Sequence, residues 1–116
     1  MSAKANINLL LEESEIEALT ELYTAIRKKW PQAKLKVFGS KATGTAGEES
    51  DLDLLIELPV PVTKTLRREI IHQVFDLNLT YTCNISVLIV SQEEWERGPL
   101  SLLPIHQDVE EAGISL

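Results

Sequence analysis

Cysteine is nearly absent: Cys83 stands alone in 116 residues, so no internal disulfide can staple the chain. That fits a reducing compartment. Long hydrophobic runs are missing too. The longest are short stretches such as Val87 to Val90, far below the ~20 residues that span a bilayer. The N-terminal stretch MSAKANINLLLEES carries one lysine and three leucines before acidic residues begin, which is no secretory signal. The expectation is a cytoplasmic protein without membrane attachment. Basic residues are the minority, 11 against 18 acidic ones, for a net charge of −7. Such a chain repels a phosphate backbone, so sequence-independent nucleic-acid binding is disfavoured. A nucleotide is not excluded, because a metal ion can invert the local charge.

Hydrophobic residues at 44% and charged residues at 25% place the chain among globular proteins rather than disordered ones. No repeat, low-complexity tract or Gly/Ser linker divides it, and its length suits one domain over residues 1–116. A core of this size is thin, and a partner subunit could add to it.

Periodicity supplies the elements. Ile16, Leu19, Tyr23, Ile26 and Trp30 form one apolar stripe, predicting a helix over 14–30 with Ser14 and Glu17 as its capping box. Lys28 and Lys29 suit its C-terminal dipole, and Pro31 stops it. KLKVF at 34–38 alternates as a strand, followed by a loop or short helical turn to Ser50. Residues 51–58 read as a second strand ended by Pro59 and Pro61. A second helix starts near Thr63, with Leu66, Ile70, Val74 and Leu77 on one face. Residues 82–90 read as a third strand. Ser91 and Glu94 cap a short helix broken at Gly98-Pro99, and a last helix over 105–112 closes at Gly113. The fold class is α/β (α+β): a small mixed sheet with helices packed on one face.

The chemistry concentrates in GSKATGTAGEESDLDLLIE, residues 39–57. Asp51 and Asp53 are two apart on a strand, so their carboxylates leave one face with Cα atoms ~6.5 Å apart. Two like charges so placed call for a cation between them, and hard divalent ions take oxygen ligands while keeping waters or phosphates. Gly39-Ser40 at the preceding strand end can supply closely approaching backbone N–H groups and a hydroxyl to a phosphate. Lys41 is a mobile cation suited to the terminal phosphates.

Gly-Ser, ten spacer residues and D-x-D flanked by aliphatics resemble the nucleotidyltransferase superfamily of DNA polymerase beta and the kanamycin nucleotidyltransferases. The longer run is similar to the GSRARG…SDxDLLV pattern of the minimal nucleotidyltransferase group, and QDVEEAGISL resembles that group's REG-x-L ending. The resemblance covers nearly the whole chain. It implies metal-dependent transfer of a nucleotidyl group, usually AMP from ATP, onto a hydroxyl. Asp51 and Asp53 would be the catalytic metal ligands for Mg²⁺ or Mn²⁺, and Gly39, Ser40 and Lys41 would bind the nucleotide. Two-metal logic assigns one ion to the attacking oxygen and one to the triphosphate.

The sequence departs from the pattern where Thr43 replaces a basic loop residue and where Ser86 aligns with the third-strand carboxylate of active members. Glu57 shares the parity of Asp51 and Asp53 but lies too far along the strand to replace it. The resemblance therefore also admits an antitoxin: minimal nucleotidyltransferases often accompany HEPN-type proteins, as partners that modify or mask them. A homo- or hetero-oligomer would complete the acceptor site, with Leu100, Leu102, Leu103 and Ile105 as contact candidates if they do not pack on their own domain. Lys28, Lys29, Lys34, Lys36, Arg67 and Arg68 read as solvated faces. His72 and His106 lack metal-ligand spacing, Cys83 fills a small strand position, and Trp95 is either core or an exposed anchor.

Overall fold

The computed structural model describes residues 11–45 and 51–116. Helix α1 (Glu13–Lys29) leads into β1 (Lys34–Phe38) and a one-turn helix α2 (Ser40–Thr43). Strand β2 (Leu52–Leu58), helix α3 (Lys64–Tyr81) and strand β3 (Ile85–Ser91) follow. Helix α4 (Gln92–Arg97), a 3-10 turn (Pro99–Leu102), helix α5 (Pro104–Ala112) and the two-residue strand β4 (Ile114–Ser115) complete the chain.

The sheet order is β3-β2-β1-β4. β1 runs antiparallel to β2 and β4, and β2 runs parallel to β3 through the α3 crossover, so the sheet is mixed as expected. β4 has no periodicity of its own; it exists because Ile114 and Ser115 pair with Val37 and Lys36.

Helices α1 and α3 cover one face. Leu52, Leu54, Ile56 and Leu58 of β2 meet Leu19, Leu22 and Ile26 of α1 and Ile70, Val74 and Leu77 of α3 in the main core. The α3 face is the expected one, and Thr63 caps the helix by accepting from the Leu66 N–H at 3.1 Å. The buried face of α1 is rotated from the expected stripe: Ala18 and Leu22 lie at its centre, while Ile16, Tyr23 and Trp30 are only partly buried. Its cap differs as well. Glu12 is the N-cap, and its N–H donates to the Glu15 carboxylate at 2.9 Å, so Ser14 and Glu17 do not form the box.

The structure adds cover on the other face. Leu55 and Val90 point there and are sealed by Trp95 of α4 and Val109 of α5, with Phe38, Leu88 and Leu100 at the margin. Trp95 is thus core. Its indole N–H donates to Glu110 at 2.7 Å, which satisfies the one polar atom its burial would strand. This lid seals the Leu55–Val90 part of the face, reaches Phe38 at its margin and leaves Asp53 half-buried. Leu102, Leu103 and Ile105 stay exposed rather than packing on the domain. No helix among the described residues is long and apolar enough to cross a membrane.

Candidate active site

The uncovered end of the sheet holds the predicted residues. Register sets Asp53 and Ser86 side by side, with Phe38 of β1 on the other flank of Asp53. One step along the same face, Lys36, Leu55 and Leu88 form the next row, and Lys34, Glu57 and Val90 the one after. The alternation of a strand therefore presents Asp53 to the open face while Leu52 and Leu54 enter the core.

Asp51 lies just before β2 and is exposed; Asn84, just before β3, donates its side-chain amide to the Asp51 carboxylate. Asp53 is half-buried, and burial, followed by the nearby Asp51 charge, raises its pKa above the ordinary carboxylate value. A second acid whose charge acts on the first is an arrangement that a cation between them relieves.

Gly39 turns the chain from β1 into α2 with φ +72° and ψ −155°, a conformation open essentially to glycine. Its carbonyl accepts from Ala42 and Thr43 at 3.1 and 3.2 Å, closing the turn. Close approach is the second reason for glycine: a Cβ here would stand 2.5 Å from Asp53 Oδ2. The Gly-Ser turn and the D-x-D strand are separated by the ten spacer residues and meet at van der Waals distance. Ser40, half-buried, starts α2 immediately beyond. Residues 46–50 of the spacer lie outside the described residues.

Lys41 is not the mobile cation expected. It is buried, and its ammonium pairs with Glu15 of α1 at 3.3 Å. The same Glu15 holds the Glu12 N–H. Lys41 therefore anchors the Gly-Ser turn to α1. Only its place two residues after Gly39 was visible in sequence; its partner lies 26 residues earlier.

Glu57 lies two rows along the sheet from Asp53. It is buried under the lid, with Lys36 4.0 Å away. Burial raises its pKa, an effect opposed by Lys36 and then Lys34. Ser86 sits beside Asp53, where a third carboxylate would complete a metal set. Among the described residues, no group of three or more His, Cys, Asp or Glu side chains is arranged to hold a metal. Asp51 and Asp53 still fit a hard divalent ion as a pair, both being oxygen donors, with waters or phosphates filling the remaining positions.

The model of the nucleotidyltransferase domain family matches residues 19–111. The chain belongs to the nucleotidyltransferase domain family. No curated protein matches the sequence. Among solved structures, a chain from a crystal structure of a toxin–antitoxin with AMP-PNP matches at a TM-score of 0.56 and 18% identity. The match covers 85% of this chain and 69% of that one, and it establishes a shared fold.

Proposed function

We propose that this chain is a metal-dependent nucleotidyltransferase that moves a nucleotidyl group, AMP from ATP, to a hydroxyl acceptor. The observation that carries the reading is the close approach of Gly39 to the Asp53 carboxylate, which joins the Gly-Ser turn to the D-x-D strand on an open face. In this reading Gly39 and Ser40 hold the phosphates by backbone N–H and hydroxyl, and Asp51 and Asp53 hold Mg²⁺ or Mn²⁺. A bound divalent ion supplies charge neutralisation at the triphosphate and activation of the attacking oxygen. Asn84 orients Asp51 through its amide, and the Lys41–Glu15 pair fixes the turn from beneath.

Calorimetric titration of ATP with and without Mg²⁺, on wild type and on Asp53→Asn, tests the site. Mg²⁺-dependent binding lost in the variant supports it; wild-type protein that binds no ATP·Mg²⁺ refutes a self-sufficient enzyme.

Ser86 beside Asp53 favours a second reading, in which the site is catalytically weak and the protein is an antitoxin that binds and masks a HEPN-type partner. The structural neighbour from a toxin–antitoxin structure supports it through the fold. Co-expression with a HEPN-type protein, where the adjacent reading frame encodes one, separates the two. Masking survives Asp53→Asn, whereas neutralisation by nucleotidyl transfer does not.

A further inference from the structure

One edge of the molecule combines two features without a neighbour among the described residues. β3 ends the sheet and pairs with β2 alone. Its sequence, ISVLIVS, contains no charge and no proline, so the usual guards against strand pairing are missing from it. Helix α3 presents Ile71, Phe75 and Leu79 to solvent at 49%, 58% and 66% exposure. Their i, i+4, i+8 spacing makes one continuous stripe.

Contacts fix which side of α3 the stripe occupies. On one flank Glu69 pairs with Lys29 of α1 at 3.9 Å. On the other, the Asn78 side chain donates to the Ile85 carbonyl at 3.1 Å and accepts the Ile85 N–H at 2.8 Å, clamping the start of β3. Ile71, Phe75 and Asn78 follow at spacings of four and three, so the stripe runs along the β3 flank and away from α1. The unpaired strand edge and the apolar helix stripe therefore belong to one side of the protein.

We propose that a second copy of this chain covers this side. β3 pairs antiparallel with its counterpart about a two-fold axis perpendicular to the sheet, and the two α3 stripes meet over the seam. An isologous contact requires a self-complementary patch, and this one is self-complementary in three respects. The edge supplies backbone donors and acceptors to an identical edge. A perpendicular two-fold keeps both α3 helices on the same face, so the stripes face each other. The charges also permit it. Lys64, Arg67 and Arg68 lie toward the start of α3, and antiparallel packing sets them against the uncharged 79–82 end of the other helix. Asp53 and Ser86 are on the sheet face away from α3, so the pairing leaves them open and does not depend on the function proposed above.

Sedimentation velocity on the full chain, from micromolar to submillimolar concentration, tests the proposal. The expected species has twice the chain mass. Phe75→Glu with Leu79→Lys is expected to weaken association by at least about thirtyfold, in line with loss of an interface hot spot, at unchanged far-ultraviolet circular dichroism. Phe75→Ser serves if the double variant misfolds. Hydrogen exchange of β3 amides is expected to be slow in the dimer and to quicken on dilution. Wild type that stays monomeric throughout, or variants that dimerise as tightly as wild type, would overturn the proposal and leave the edge to a different protein.

Discussion

The Cα of Gly39 rests against the carboxylate of Asp53, so that a methyl group at 39 would stand 2.5 Å from Asp53 Oδ2. The turn that would hold phosphate and the acid that would hold metal are thus one packed unit. Gly39→Ala would impose both a positive φ on an L-residue and a collision with Asp53. We expect a stability loss of about 1–3 kcal/mol from the backbone strain, together with at least a tenfold loss of ATP·Mg²⁺ affinity, ~1.4 kcal/mol. Denaturant unfolding and calorimetry read the two effects separately. Full affinity in Gly39→Ala would mean that the close approach serves no ligand.

Lys41 and Glu15 are a buried ion pair whose side chains are each 8% exposed. Removing one member leaves the other charge buried alone, which costs about 3–5 kcal/mol, whereas replacing both with apolar residues of similar volume is often neutral. Lys41→Met should therefore destabilise the protein strongly, and Lys41→Met with Glu15→Met should recover most of that loss in urea unfolding. A Lys41→Met protein of wild-type stability that fails to bind ATP would instead restore Lys41 as a direct phosphate contact.

The same pair shows where sequence reading stops. β1, α3 and the D-x-D strand were legible because their signals are local: alternation, an i, i+3, i+4 stripe with a threonine cap, and a motif of fixed spacing. The cap of α1 is missed because Glu12 is a residue type outside the usual capping set, while the more familiar Ser14 lies inside the helix. Its face is missed because apolar residues lie on both sides of Leu19 and Ile26, and Ala18 and Leu22, not Tyr23 and Trp30, are the buried ones. The third strand, expected from 82, begins three residues later. Thr82 takes a left-handed conformation at φ 51° as the C-cap of α3, and pairing begins only at Ile85. β4, the Trp95–Glu110 bond and the partner of Lys41 are long-range features with no periodic trace. The open face was predicted from parity alone, but the lid over its other end depended on how Trp95 and Val109 fold back.

Glu110 links that lid to the sheet. Its carboxylate accepts from Trp95 Nε1 at 2.7 Å and from Lys36 Nζ at 3.0 Å. The Trp95 hydrogen bond and then Lys36 lower its pKa below the ordinary value of 4.5, against the opposing effect of burial. A depressed folded-state pKa gives stability that is complete above the unfolded value and is lost as pH falls through the folded one. Glu110→Gln should thus lower the urea midpoint at neutral pH and flatten its decline below about pH 4.5. Glu57, raised by burial beside the same lysine, works in the opposite sense: its contribution is present at low pH and fades as pH rises through its folded value. Glu57→Gln should raise the neutral-pH midpoint relative to the acid one. Identical pH profiles in all three proteins would remove the network from the account of stability.

Ser86 pairs with Asp53 across the parallel β2–β3 ladder, and both side chains face the open side of the sheet. A carboxylate at 86 would join Asp51 and Asp53 as a third oxygen ligand, and divalent affinity rises with the number of charged ligands. Ser86→Asp should tighten Mn²⁺ binding by about tenfold, ~1.4 kcal/mol, and increase any AMP transfer from ATP. Without metal the added charge faces the two existing acids, so the variant should melt lower than wild type in chelator and regain that difference when Mg²⁺ is supplied. Thermal unfolding in the two conditions reads this directly, independent of an acceptor. A melting point in Ser86→Asp that ignores Mg²⁺ would show that position 86 does not border a metal site, and the assignment of Asp53 as a ligand would fall with it.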